Sequence, residues 1–501
     1  MTTTRSTPQS DSQATLRTGR LGVIGIVFFV VAAAAPLVGM TGAVPIAIVL
    51  GNGAAAPGAY FVVGITLLLF SVGYAAMSQR VTNAGAFFAY IGRGLGRHLG
   101  SASAFVSILA YLAIQLAIYG FFGGLLGTQV GLLPWWGWSL LAWAAVTLLS
   151  LLSVDVGAKV LGVLMLLEVL VLVVTSVAIL ADGGPEGLDL WASFNPTAIL
   201  AGGLAGSAGI AFAFAFASFI GFEATAIYGE ESKDPKTVVP RATYLAVGVI
   251  TALFALTAFA MVTGMGASAV VEKTVELSML DGVPLADPAA VLFSLASQYV
   301  APWMATVMGI LVVSSLFAGL LAFQNAVGRY LFALGRGGAL PAPLSHVNGR
   351  GAPSTASITT SVVTGLVITT FAVFQLDPVL NMFFWFSGLA VVAIVLIEIL
   401  VCLAVIAFFR RNAGNENVFQ TIIAPVLATI GLILGEYLLM SRFGLLAGTV
   451  ADGVDPTVSP WGLSPIGWVL VALPFVLLFA GYLHSLWSHT ENEALVKDVL
   501  S

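Results

Sequence analysis

Four glutamates, Glu168, Glu223, Glu398 and Glu436, fall inside stretches that are otherwise almost wholly apolar. A charge at the centre of a bilayer costs about 3 kcal/mol on insertion scales, so each carboxylate must face protein or water and is a functional candidate by default. Its chemistry there is to exchange a proton or to meet a cation. A second source of chemistry is the backbone. Two hydrophobic segments carry helix-breaking residues at their middles: 21–51 at Ala33-Ala34-Ala35-Pro36-Leu37-Val38-Gly39, and 208–228 at Ala217-Ser218-Phe219-Ile220-Gly221-Phe222-Glu223. Inside hydrocarbon an unwound stretch leaves N–H and C=O groups unpaired, at several kcal/mol each, unless it lines a cavity enclosed by protein. Free N–H groups at the start of a half-helix attract a carboxylate, and free C=O groups at the end of one attract an ammonium.

The elements that position these groups follow from composition. The 501 residues are 59% hydrophobic and 8% charged, with a mean hydropathy of +1.04, whereas soluble domains carry about 25% charged residues. The chain therefore reads as an all-α integral membrane protein. Apolar runs of about 20 residues, each long enough to cross hydrocarbon as a helix, predict twelve spans at about 21–50, 57–78, 99–129, 135–153, 160–181, 206–228, 243–265, 302–333, 355–376, 380–409, 419–441 and 464–486. Residues 1–20, rich in Ser, Thr and Gln, read as a disordered cytoplasmic tail rather than a signal peptide. Residues 21–490 then form one transmembrane domain, and 491–501 a second cytoplasmic tail. The single cysteine, Cys402, excludes a disulfide framework and a cysteine-based metal site within one chain.

Basic residues accumulate on the cytoplasmic side of membrane proteins. With the N-terminus inside, all of the 18 Lys and Arg residues except Lys273 and Arg442 fall inside or at inner helix ends, which places both termini in the cytoplasm. Outer connections carry acids and breakers, and the stretch 272–287 is long enough for a short surface helix. The two interrupted segments are the first and sixth spans, five apart. A unit with an odd number of spans makes the next unit start from the opposite face, giving a five-plus-five inverted repeat of about 21–181 and 206–409, with accessory helices at about 419–486. Interrupted segments in corresponding positions of two such halves are the best sequence pointer to a transport site.

Three motifs carry a family resemblance. Phe219-Ile220-Gly221-Phe222-Glu223, with Gly229-Glu230-Glu231-Ser232-Lys233-Asp234-Pro235 and Val239-Pro240-Arg241-Ala242 behind it, resembles the sixth span and following loop of amino acid–polyamine–organocation (APC) permeases. Asn325-Ala326-Val327-Gly328-Arg329-Tyr330 before Leu340-Pro341 is similar to the end of the eighth span in that family, and Gly85-Ala86-Phe87-Phe88-Ala89-Tyr90 to the segment after its second. The resemblance covers about the first 410 residues. It implies the leucine-transporter-like fold and alternating access, in which a bundle of spans 1, 2, 6 and 7 rocks against a scaffold of spans 3, 4, 8 and 9.

The candidate site follows from both readings. Pro36 suits the first position of the outer half-helix, where a missing N–H costs nothing, so donors are expected from Leu37, Val38 and Gly39. Ala34 and Ala35 stand where family members often carry a Gly-x-Gly stretch, a departure that shortens the break and leaves a backbone-bound carboxylate open. Ala217, Ser218 and Phe219 supply the second set of groups, with Gly221 permitting close approach. A zwitterion's two charges are thereby met with no charged side chain. Glu223 matches the family's acid and resembles a gating or coupling residue, or else is an acid paired with neighbouring backbone or Arg. Many relatives carry a lysine where this chain has Glu168. Glu168 is expected either to couple transport to protons, to face a cation site that Ser314 and Ser315 help to form, or to bond a first-span carbonyl. Tyr111 and Gln115 on the third span, and Phe383, Phe384 and Trp385 on the tenth, are candidates for an aromatic-walled pocket. Asn325 and Arg329 are candidates for an inner gate with the acids of the 229–234 loop, Arg329 otherwise serving as a positive-inside anchor.

The remaining motifs exclude other classes. Gly92-Arg93-Gly94-Leu95-Gly96 lacks the spacing of a dinucleotide loop, and His98, His346, His484 and His489 are too dispersed for a metal site. No Ser/His/Asp grouping or phosphate loop indicates an enzyme or a cofactor, and a net charge of −5 argues against nucleic acid. The expected function is secondary active transport of amino acids across the cytoplasmic membrane, coupled to protons or sodium or run as exchange. A polyamine or monoamine carrier of the same fold, or a membrane amino-acid sensor that binds without transport, are the alternatives.

Overall fold

The computed structural model describes residues 21–81, 86–152, 157–200, 202–226, 232–338, 340–412, 414–456 and 458–487. The two terminal tails, Gly85, and Gly229, Glu230 and Glu231 of the loop motif lie outside them. Among the described residues all regular secondary structure is helical, with three isolated bridges. Among the described residues ten helical runs are long and apolar enough to cross a membrane, and large apolar side chains such as Ile310, Leu366 and Phe479 stand exposed on them. In water such a surface would aggregate; against acyl chains it is the solvent-matched face. The molecule is a multi-pass membrane protein.

The first of these runs, Val23–Arg80, has 58 residues, far more than one crossing needs, and is broken twice. Helix α1 (Val23–Ala34) stops at Ala35, which adopts the left-handed conformation (φ 44°, ψ 68°). That conformation costs a non-glycine residue about 1–2 kcal/mol. Helix α2 (36–52) starts with Pro36 at its first position. It contains two π-helical stretches, Gly39–Ala43 and Ala47–Asn52, on either side of Pro45, whose missing N–H and bulky ring disfavour regular α-turns there. Gly51 and Gly53 leave helical geometry altogether, and α3 (Ala56–Arg80) follows.

Beyond α4 (Ala86–Leu95) come α5 (Arg97–Gln129), α6 (Trp135–Leu151) and α7 (Gly157–Asp182). The 17 residues of α6 are short for a span, and its Trp-rich start suits the membrane interface. Helix α8 (Ala208–Phe219) ends in the second break, with Ile220 extended (φ −54°, ψ 128°), Gly221 at φ 115°, and a 3-10 turn over Phe222–Thr225. Then follow α9 (Pro235–Met265), two short helices α10 (Val270–Ser278) and α11 (Ala289–Tyr299), α12 (Pro302–Arg336), α13 (Ser354–Val373), α14 (Pro378–Arg411), α15 (Phe419–Ser441) and α16 (Pro465–Trp487). The surface helix expected within 272–287 is α10, which starts slightly earlier.

Two sets of helices are tied together internally. α9 runs along α3, where Gly64 lets Thr251 approach closely; Tyr60 of α3 reaches Ser218, and Tyr74 donates to the Glu223 carbonyl at 2.7 Å. α5, α6, α12 and α13 are joined by polar links. Gln115 donates to Gln324 at 2.8 Å, Gln324 donates to the Ser357 carbonyl and the Ser361 hydroxyl, and Trp143 and Thr147 also bond Ser361. At the end of α3, Arg80 forms a bidentate pair with Glu416, at 2.6 and 2.9 Å. Cys402 is buried on α14.

Candidate functional site

The two breaks touch. Gly221 lies against α1: a methyl group added to it would sit 2.8 Å from Ala33 Cβ and 3.2 Å from the Ala33 carbonyl carbon. Its φ of 115° independently favours glycine. On the other side of the break, Gly39 faces Ser218, whose Oγ would be 3.1 Å from a methyl on Gly39. Gly39 therefore meets Ser218 directly, whereas Pro36, one turn earlier, does not line the space between the segments.

That space is a cavity of about 50 Å³, measured as room for the centre of a water molecule. Ala33, Ala34, Ala35, Val38, Gly39 and Ala43 border it from α1 and α2. Phe214, Ala217, Ser218 and Ile220 border it from the second broken segment. The remaining wall is Ile114 and Ile118 of α5, Phe323 of α12, and Phe383 and Ser387 of α14. Phe383 is held in place by stacking on Phe121, with ring centroids 5.0 Å apart, and by Phe214 at 6.4 Å.

The backbone supplies polar groups of both signs. Val38 and Gly39 N–H both return to the Ala35 carbonyl, at 2.9 and 3.1 Å. Three donors were expected on α2, and capping by Ala35 leaves one, Leu37 N–H, without a backbone acceptor. Among the described residues the carbonyls of Ala33 and Ala34 receive no backbone N–H, because Pro36 has none to give and Ala35 turns its own back to Val31 and Ala32. In the second segment Gly221 N–H donates to Glu223 Oε2 at 2.9 Å. The acid thus caps the break instead of pointing into the cavity. Its Oε1 has no bond meeting hydrogen-bond geometry, with the Tyr111 hydroxyl beside it.

Several candidates stand outside the cavity wall. Tyr111 packs on Phe323 and Tyr330; Gln115 serves the α5–α12 link; Trp385 donates to the Ala447 carbonyl at 2.8 Å. Leu37, Phe219 and Gly221 are buried behind the lining. Glu168 is buried on α7 with Ser315 of α12 as its hydroxyl neighbour. Ser314 turns away, donating to the Leu311 carbonyl at 2.8 Å. Asn325 is half-buried and Arg329 buried on α12; of the loop acids proposed to meet them, Glu230 and Glu231 lie outside the described residues and Asp234 accepts from the Thr237 hydroxyl. Glu398 and Glu436 are buried on α14 and α15, away from the cavity.

Sequence reasoning did not single out Ile114, Ile118, Phe214, Phe323 or Ser387. Ile114 and Ile118 are one turn apart beside Gln115, and Ser387 is one turn past Phe383. Helical spacing from residues already suspected was the signal that could have found them. Among the described residues no group of three His, Cys, Asp or Glu side chains could hold a metal.

Compared with known proteins, residues 21–455 match the family model for amino acid permeases. An uncharacterized transporter of Legionella pneumophila is 25% identical over 327 residues. The match covers 62% of this chain and 65% of that relative, slightly under two thirds of its length.

Proposed function

The chain belongs to the amino acid permease family, and from that premise we propose that it is a secondary active transporter of amino acids working by alternating access. The observation that carries the reading is the cavity between two touching helix breaks, with the Ala33 and Ala34 residues at its wall and their carbonyls free of backbone N–H partners among the described residues. The carbonyls at the end of α1 offer an ammonium a partial negative charge at mid-membrane without a charged side chain, and the start of α2 is the proposed side for the carboxylate.

Twelve spans result when Val23–Arg80 is divided at Gly51–Gly53 and α6 is counted as a crossing. The five-plus-five inverted repeat then runs from α1 to α7 and from α8 to α14, with α15 and α16 accessory and the basic loops and both termini cytoplasmic. The hydrogen-bond pattern supports the division into two bodies. Tyr60, Ser218, Tyr74 and Glu223 tie α3 to α8 and its following turn, while Gln115, Gln324, Ser361 and Thr147 tie α5, α12, α13 and α6. The first set rocks against the second, with Asn325 and Arg329 at the inner gate. Glu168 and Ser315, bridging α7 and α12, are the proposed seat of coupling to a proton or sodium; Glu223 links the second break to α3.

A ligand that binds only the folded protein stabilises it by RT ln(1 + [L]/Kd), about 2.7 kcal/mol at a hundredfold excess over Kd. Purified protein screened by thermal shift against amino acids and amines, with and without sodium and at two pH values, is expected to respond to at least one amino acid. Silence toward every amino acid and amine would remove the basis of the proposal.

A further inference from the structure

We infer that the substrate is a small neutral amino acid of the bulk of glycine, alanine or serine, and that Ile114, Ile118, Phe323 and Phe383 set this limit. The inference rests on the transport reading above and adds the substrate class to it.

Size is the first argument. A cavity needs about 10–15 Å³ of such room for each water molecule it holds, so about 50 Å³ corresponds to roughly four waters. Bonded atoms lie closer together than hydrogen-bonded waters, which allows an amino acid backbone and one or two further atoms. Branched aliphatic and aromatic side chains exceed that room. The wall has little freedom to retreat, because Phe383 is clamped between Phe121 and Phe214.

Charge is the second. Among the described residues no Asp, Glu, Lys, Arg or His side chain lines the cavity, so a lysine-like, glutamate-like or polyamine charge would be buried without a partner. The third argument concerns the two hydroxyls in the wall. Ser218 Oγ is committed to the Phe214 carbonyl at 2.7 Å. Ser387 Oγ is fully buried with no hydrogen-bond partner among the described residues and is the polar seat left for a substrate hydroxyl.

The test is exchange in liposomes carrying the full chain, loaded with a mixture of glycine, alanine, serine, valine, leucine, phenylalanine, lysine, glutamate and putrescine and offered one labelled compound at a time. The expected result is rapid exchange of labelled glycine, alanine and serine. Leucine, phenylalanine, lysine, glutamate and putrescine are expected to exchange at least about tenfold less, the discrimination that a tight apolar wall provides. Phe383→Ala is expected to raise leucine exchange relative to alanine by about tenfold or more, and Ile118→Val, a milder change, to raise valine relative to alanine. If leucine, lysine or putrescine exchanges as well as alanine in the unaltered protein, the size and charge limits are wrong while transport stands. If the limits hold but neither variant widens selectivity, the assignment of these walls is wrong. If no amino acid or amine exchanges, the transport reading itself fails.

Discussion

Gly221 and Ala33 meet across the two broken helices at a distance that leaves no room for another methyl group. The contact joins the C-terminal end of α1 to the turn after α8, so the two discontinuities behave as one structural unit and share one cavity.

Gly221→Ala is therefore expected to be severely damaging. A left-handed alanine costs about 1–3 kcal/mol, and overpacking against Ala33 adds about 1–3 kcal/mol. Adding Ala33→Gly should recover the packing part and leave the conformational part. Thermal unfolding of the single and double variants, with uptake alongside, measures both. A single variant with unchanged melting temperature and uptake would contradict the contact.

Gly39→Ala is the opposite kind of change. Gly39 is already helical (φ −57°, ψ −41°), so alanine gains up to about 1 kcal/mol of helix propensity. Its methyl, however, enters the cavity beside Ser218. The tight approach to Ser218, 3.1 Å from Oγ and 3.2 Å from Cβ, offsets that gain, so stability is expected to change little while substrate affinity falls about tenfold or more. Unaltered affinity would separate Gly39 from the site.

How much of this was legible in the sequence differs between the breaks. Pro36 marked the start of the outer half-helix because its ring fixes φ and its missing N–H is harmless there, and α2 does start at Pro36. The number of free donors was not legible, since it depends on Ala35 turning left-handed and capping Val38 and Gly39. The motif around Gly221 located the second break, but Glu223 bonding back to Gly221 N–H is a local folding outcome that residue types do not encode. Apolar runs placed the long helices closely, apart from the early start of α9 at Pro235, and did not announce the short helices α4 and α11. The π-turns around Pro45 had no period to announce them. Tyr111, Gln115 and Trp385 had the right helices and plausible spacing, yet which face meets the cavity is set by tertiary packing.

Glu168→Gln is expected to retain exchange of substrate between two equal solutions while losing accumulation driven by a proton gradient. Ser315→Ala should weaken accumulation less, since it removes a neighbour and not the acid. Liposomes with an imposed pH difference distinguish the two. Full accumulation by Glu168→Gln would end the coupling role.

Gln324 bonds partners on two other helices, so Gln324→Leu strands the Gln115 amide nitrogen in a buried setting and takes one of two donors from the Ser361 hydroxyl, which keeps Thr147. An unsatisfied buried group costs about 1–3 kcal/mol. The variant should melt well below the parent, and a melting temperature within error of it would show that the α5–α12–α13 link is dispensable.

The bidentate bond from Arg80 holds the Glu416 carboxyl below its ordinary range. A depressed folded-state value means the pair stabilises the protein above the unfolded carboxyl value of about 4.3, and that this contribution disappears as pH falls through the lower folded value. Glu416→Gln should thus lower the melting temperature at pH 7, by less in high salt, and the difference should fade below about pH 4. A gap of equal size at neutral and strongly acidic pH would mean that the ionic bond is not its source.

Cys402 is the chain's only cysteine and has 2% of its surface exposed, so thiol reagents find almost nothing natural to attack. A thiol introduced elsewhere becomes a selective reporter without prior removal of native ones. Lys273→Cys, in an exposed position on α10, and Arg350→Cys, exposed between α12 and α13, then make a matched pair. An impermeant maleimide applied to intact cells should tag the first and spare the second, and lysed cells should allow both to react.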